Sequence, residues 1–172
     1  MIIRKTTVLF VFAAVLVFVS SCKKENITGT TELRIHLTDN PYNASEVNVD
    51  IKQVRVNFGD DSTGWVDINT RSGVYNLLDL QNGIDTVLAL GIVPAGTLKE
   101  VRFVLGTDNS IKIDSATYPL TIPSGSESGL KIKLNKRLNA TLDSLVIDFD
   151  AALSILQTGN GEYKLKPVLK IK

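Results

Sequence analysis

From Thr31 onward, apolar residues recur at every second position, and that period restricts the chain to half-buried strands. Leu33, Ile35 and Leu37 alternate with Glu32, Arg34 and His36. Val47, Val49 and Ile51 alternate with Asn48 and Asp50, and the phase then flips to Val54, Val56 and Phe58. One extra residue turns every later side chain to the other face, so a bulge is predicted near Lys52-Gln53. The pattern resumes at Val101, Phe103 and Leu105, at Leu130, Ile132 and Leu134, and at Leu145, Ile147 and Phe149. Tyr163, Leu165, Leu169 and Ile171 close it as a last strand. Turn residues separate the runs, among them Asn40-Pro41, Asn82-Gly83, Pro94-Ala95-Gly96, Pro123-Ser124-Gly125 and Gly159-Asn160-Gly161. Helical signals are confined to residues 151–156 and to a short stretch after Leu78. The expected fold is all-β: a single antiparallel β-sandwich, immunoglobulin- or transthyretin-like, with at most one or two short helices, in one domain over 31–172.

The segment before this body reads as an address. Arg4 and Lys5 precede an apolar run from Val8 to Val19, and the run ends at Ser20-Ser21-Cys22, the only cysteine. A bilayer span needs about 20 apolar residues, so the run suits a secretory signal instead. Val19-Ser20-Ser21-Cys22 resembles the bacterial lipobox. That resemblance implies cleavage after residue 21 and acylation of Cys22 with a diacylglycerol and a further chain such as palmitate. Two or three acyl chains hold a membrane stably where a single chain does not. Residues 22–30 then form a lipidated cysteine and a polar tether, reaching roughly 30 Å at about 3.3–3.6 Å per residue. Lys23 stands where an Asp would favour inner-membrane retention, so the expected location is the outer membrane, on its periplasmic or its surface side. Lys23-Lys24-Glu25 faintly resembles the charged tags of surface lipoproteins in Bacteroidetes.

Losing the leader removes Arg4 and Lys5 from the 19 basic residues, leaving one fewer than the 18 acidic ones. A near-neutral domain offers no electrostatic footprint for nucleic acid. With Cys22 acylated, no thiol remains for disulfides or redox work.

Several segments, taken in order, resemble the domain-of-unknown-function 4382 family. They are Leu37-Thr38-Asp39-Asn40-Pro41, Gly64-Trp65-Val66, Leu77-Leu78-Asp79-Leu80-Gln81-Asn82-Gly83, Pro94-Ala95-Gly96-Thr97, Tyr118-Pro119-Leu120-Thr121-Ile122-Pro123-Ser124-Gly125, Asp148-Phe149-Asp150 and Lys166-Pro167-Val168. One departure is Leu98, where an aromatic residue is expected after Thr97. The resemblance implies a β-rich extracytoplasmic domain and carries no activity with it.

No catalytic set stands out. His36 is the only histidine, and Glu127 occupies the centre of Gly125-Ser126-Glu127-Ser128-Gly129, where a nucleophile elbow needs serine. One histidine and no free thiol cannot make a usual zinc site. For calcium the sequence offers only Asp39, Asp148 and Asp150. The plainer expectation is that Asp148 pairs with Arg102 across neighbouring polar faces. No cofactor is expected. Binding is the remaining class. Trp65 opens a strand after a polar loop and either caps one end of the core or serves as a platform, and Tyr42 is the better exposed aromatic. Lys131 and Lys133 share the outward phase of one strand, and Lys164, Lys166, Lys170 and Lys172 that of the last. Were those strands neighbours, a basic stripe would result, serving an anionic glycan, an acidic partner or simply edge protection. The expected function is a non-enzymatic, membrane-anchored lipoprotein binding a glycan or an envelope protein. The alternatives are a carbohydrate-active hydrolase using Asp79, Asp148 or Asp150, and a pilus-like or adhesion subunit.

Overall fold

The computed structural model describes residues 29–40, 42–61, 63–123 and 130–172. The expected signal peptide, Cys22 and most of the tether therefore lie outside the described residues. The strands among the described residues are β1 Thr30–Thr38, β2 Glu46–Asn57, β3 Trp65–Thr70, β4 Gly73–Asn76, β5 Thr86–Pro94, β6 Thr97–Leu105, β7 Ser110–Ile113, β8 Ala116–Thr121, β9 Leu130–Arg137, β10 Leu142–Phe149, β11 Ile155–Gln157, β12 Tyr163–Leu165 and β13 Leu169–Ile171. Among the described residues two helical turns interrupt them, a 3-10 turn at Leu77–Leu80 and α1 at Ala151–Ser154. Among the described residues no helix is long and apolar enough to cross a membrane.

The strands form one continuous sheet in the order β11-β12-β8-β7-β2-β3-β5-β1-β10-β13, with β4 and β6 also on β2 and β9 on β6. It curls into a half-barrel. The all-β expectation holds, but the sheet is mixed rather than antiparallel. β1 runs parallel to β10, and β8 parallel to β12. The alternating residues do what their period requires. Leu33, Ile35 and Leu37 of β1, Val47, Val49 and Ile51 of β2, and Ile147 and Phe149 of β10 all line the interior with no exposure.

The phase flip in β2 is a bulge, found between Ile51 and Gln53 where its register against β6 shifts. It lets both halves of a 12-residue strand face the core, through Ile51 before it and Val54 and Val56 after it. The first half pairs with β4 and β7, the second with β3 and β6. Beside the bulge, Asp50 is buried with Lys52 Nζ 2.9 Å from Oδ2, and a Cβ on Gly106 would collide with that carboxylate.

The last expected strand is two strands. Proline has no N–H to give a ladder, and the chain leaves one part of the sheet at Lys166-Pro167-Val168 and rejoins it at another. Ser154, fully buried at the end of α1, satisfies the amides on both sides of the break. Its carbonyl accepts from Lys166 N–H at 2.7 Å, and its hydroxyl accepts from Val168 N–H at 2.8 Å. β12 then pairs with β8 and β11, and β13 with β10.

Candidate functional site

Three polar or aromatic clusters merit comparison. The first is an acidic corner. β1 and β10 pair with Thr38 opposite Asp148, which brings Asp39, just past β1, beside Asp148 and Asp150. All three carboxylates are buried. Asp39 Oδ1 accepts from Ala151 N–H at 2.9 Å and Oδ2 from Gln81 Nε2 at 3.4 Å. Asp148 Oδ2 accepts from Asn40 Nδ2 at 2.6 Å, with Lys172 Nζ at 3.6 Å. Asp150 caps α1 by accepting from Leu153 N–H at 3.0 Å, and Lys170 Nζ lies 2.5 Å from its other oxygen.

Burial pushes Asp39 up to about 6, with the Asp148 charge adding, although hydrogen bonds from Ala151 and Gln81 pull the other way. Burial also raises Asp150, but the hydrogen bonds from Lys170 and Leu153 outweigh it and hold the carboxyl below its ordinary value.

The sequence thus named three acids that the fold does bring together. The expected pairing of Asp148 with Arg102 is not formed, because β6 and β10 are far apart in the strand order and Asn40 and Lys172 reach Asp148 instead. Among the described residues no three His, Cys, Asp or Glu side chains are grouped so as to hold a metal ion. Asp39 and Asp150 have both oxygens engaged by protein donors, and only Asp148 Oδ1 is buried without a partner. Asp79, the remaining hydrolase candidate, is exposed and accepts from Asn76 Nδ2 at 3.0 Å. His36 Nδ1 lies 2.6 Å from Asp85 Oδ1.

The second cluster is a cationic platform. Ile68 of β3 points inward, so Trp65, Asp67 and Asn69 point out. The register then sets a row across four strands: Asp67 opposite Arg55, Arg55 opposite Arg102, and Arg102 opposite Lys131. The Trp65 ring gathers these cations, with Arg102 at 4.2 Å, Lys131 at 5.8 Å and Arg55 at 5.9 Å from its centroid. Like charges placed opposite each other repel. The indole face offsets part of that, by roughly 0.5–1 kcal/mol for each well-placed exposed cation. Asp67 is ion-paired with Arg55. Among the described residues neither Arg102 nor Lys131 has a carboxylate partner, and Arg102 Nε is buried without a hydrogen bond. Trp65 does not cap the core: it is half-buried on the outer face, outside the apolar cluster.

Lys133 is exposed on the same strand as Lys131, opposite Glu100. The fold divides the wider basic stripe between separate places, although β13 packs against β9. β9 pairs with β6, whereas β12 pairs with β8 and β11, so Lys164 does not flank Lys131 or Lys133, and Lys166 lies outside any strand. Lys170 and Lys172 serve the acidic corner.

The third cluster has no counterpart in the sequence pattern. Tyr118 of β8 and Tyr163 of β12 meet with ring centroids 5.1 Å apart, tilted at 50°. Tyr42, expected to be exposed, is half-buried against the core edge. Burial and then the nearby Tyr163 push its phenol above the ordinary value.

A family model described as Domain of unknown function (DUF4382) matches residues 30–167. No curated protein and no solved structure matches the chain.

Proposed function

The chain belongs to the family described as Domain of unknown function (DUF4382), and on that footing we propose that it is a non-catalytic binding module for an anionic glycan. In this reading Cys22 carries the acyl chains, the outer membrane is the site, and the curled sheet works as a β-sandwich whose outer face meets the ligand. One observation supports the ligand class: Arg102 and Lys131 converge on the half-buried Trp65 ring without a carboxylate of their own. An aromatic face receives the C–H face of a sugar, and a guanidinium beside it receives a carboxylate or sulfate with two parallel hydrogen bonds. The charged row runs across four strands of the sheet, an extended array that suits a polymer.

The test uses the full-length lipidated chain in detergent against immobilised polygalacturonate, with neutral dextran as the control. Binding is expected to polygalacturonate, weakening as salt rises. Trp65→Ala and Arg102→Gln should each lower affinity about tenfold, as for a central contact in an interface. Equal binding to dextran, or no loss in either variant, would rule the reading out.

An envelope protein as ligand is favoured by one feature. Lys131 and Lys133 both stand exposed on β9, where an acidic segment of a partner can pair with them. Crosslinks from Lys131 or Lys133 to an acidic extended segment of a partner would select that reading.

A further inference from the structure

The cleft between β8 and β12 has a chemistry opposite to that of the Trp65 face. It encloses about 260 Å³ and is lined by Tyr118, Pro119, Thr121, Asn160, Glu162 and Tyr163. A second hollow of about 350 Å³ adjoins it across Pro119 and Thr121 and extends to Asn109. The cleft exists because β12 runs parallel to β8 for only two residue pairs, Tyr163 with Leu120 and Lys164 with Thr121. Beyond those pairs the strands diverge, and the turn before β12 forms the rim. That turn is tight. Gly161 adopts φ +83°, a left-handed conformation, and Thr158 exchanges backbone hydrogen bonds with Gly161 and Glu162. It places Asn160 and Glu162 on the wall of the same cleft as the two tyrosine rings.

Two polar groups at this cleft are already engaged, Asn160 Oδ1 by the Thr158 hydroxyl and the Thr121 hydroxyl by the Tyr163 carbonyl, which leaves the Asn160 amide nitrogen for a ligand. Among the described residues Glu162 has no ion pair, and the hydroxyls of Tyr118 and Tyr163 make no hydrogen bond. Tyr118 is among the exposed large apolar side chains. Among the described residues no lysine or arginine lines the cleft, and its one formal charge there is the Glu162 carboxylate. A carboxylate at the rim repels anions and accepts from hydroxyl groups, and ring faces below it receive C–H groups.

The geometry points to a second binding site here, for one or two rings of a neutral saccharide, with Tyr118 and Tyr163 as the platform and Glu162 and Asn160 as the hydrogen-bonding groups. This site is separate from the Trp65 face and does not depend on it. Were both occupied, the protein would hold an acidic and a neutral stretch of polysaccharide on different faces.

The test uses the full-length lipidated chain in lauryldimethylamine oxide, which has no sugar head group. Cellohexaose, mannohexaose and xylohexaose are titrated separately and followed by saturation-transfer NMR. At least one should bind with a Kd of about 1 mM or tighter. Glu162→Gln should weaken it about tenfold, the range for a hydrogen bond to a charged group. Tyr118→Ala should weaken it at least as much, and Trp65→Ala should leave it unchanged. Glu162 is exposed, so its variant folds and remains informative even if Tyr118→Ala does not. If no hexasaccharide binds, or if Trp65→Ala removes binding while Glu162→Gln does not, the proposal is overturned. Polygalacturonate binding measured on the same samples reports separately on the Trp65 face.

Discussion

The acidic corner and the cationic platform are built from the same materials by the same means. Each gathers charged side chains by strand register, and each sets like charges side by side. In the corner, Asp39, Asp148 and Asp150 are buried, and nearly every oxygen finds a donor within the protein. On the platform, Arg102 and Lys131 crowd a half-exposed ring with no protein carboxylate to meet them. Buried charge must be satisfied internally or the fold suffers, so the donors gathered at the corner help to hold the fold together. Exposed charge carries no such requirement, and what is left unpaired there is available to a ligand. Through Lys170 and Lys172 the corner also ties β13 to α1 and to the end of β10.

Three experiments test this contrast. The largest effect is expected from Asp150→Ala, which removes both the cap of α1 and the partner of Lys170. It should destabilise the domain by about 3 kcal/mol, combining a lost cap with a lost hydrogen bond to a charged group. Chemical denaturation measures it, and polygalacturonate binding should be untouched at concentrations where the protein stays folded. A loss below 0.5 kcal/mol, roughly the level of a neutral surface change, would remove the corner's structural role.

The second experiment is a pH series. Asp39 titrates near 6 in the folded protein, above its ordinary 3.8. Its stabilising contribution is therefore complete below 3.8 and is lost as pH rises through 6. Burial raises Asp150 and also Asp143 of β10, but their hydrogen-bonding partners prevail, for Asp143 the Asn139 N–H and Lys136, so both lie below the ordinary value. Their contribution is present above 3.8 and is lost as pH falls further. Stability should thus peak between about 4 and 5 and decline toward pH 7 by on the order of 2 kcal/mol. Asp39→Asn should flatten that decline. Melting temperatures across the range test it, and an unchanged slope in the variant would assign the pH dependence to another group.

The smallest effect on stability should come from Arg102→Gln. Relief of repulsion with Arg55 and Lys131 opposes the lost contact with Trp65, so the net change should stay under about 1 kcal/mol. The same variant is expected to weaken polygalacturonate binding about tenfold. A large destabilisation instead would make the platform structural, like the corner.

Strands whose inward residues alternate are legible in the sequence: β1, both halves of β2 with its bulge, β6, β9 and β10. β5 is not, because Val87 to Val93 is almost uniformly apolar and shows no period. Leu88 and Val93 are buried, while Leu90 and Ile92 are exposed on the outer face. The break at Pro167 is hidden for a different reason. An alternating pattern on either side of a proline looks like one continuous strand until the partners of its flanking amides are known.

The sites are legible in part. Trp65 and Lys131 stand out as binding candidates, and Arg102 is visible between Val101 and Phe103. Their convergence is not visible, because Arg55, Arg102 and Lys131 are adjacent only through the β2–β6–β9 register. The lysines of residues 164–172 share a phase along the chain, yet the fold sends them to different places. Nothing in the sequence joins Tyr118 to Tyr163, which lie 45 positions apart.

Alternation, turn residues and the one-residue phase flip are properties of neighbours along the chain. They determined an all-β class, the inward set of the alternating strands and the position of the bulge. Which charge meets which was decided only by tertiary structure. A sheet lets any two strands pair, and a shift of partner or of one residue in register changes every cross-strand contact at once. The split between an acidic cluster sealed in the fold and a basic one left open on its surface follows from that pairing.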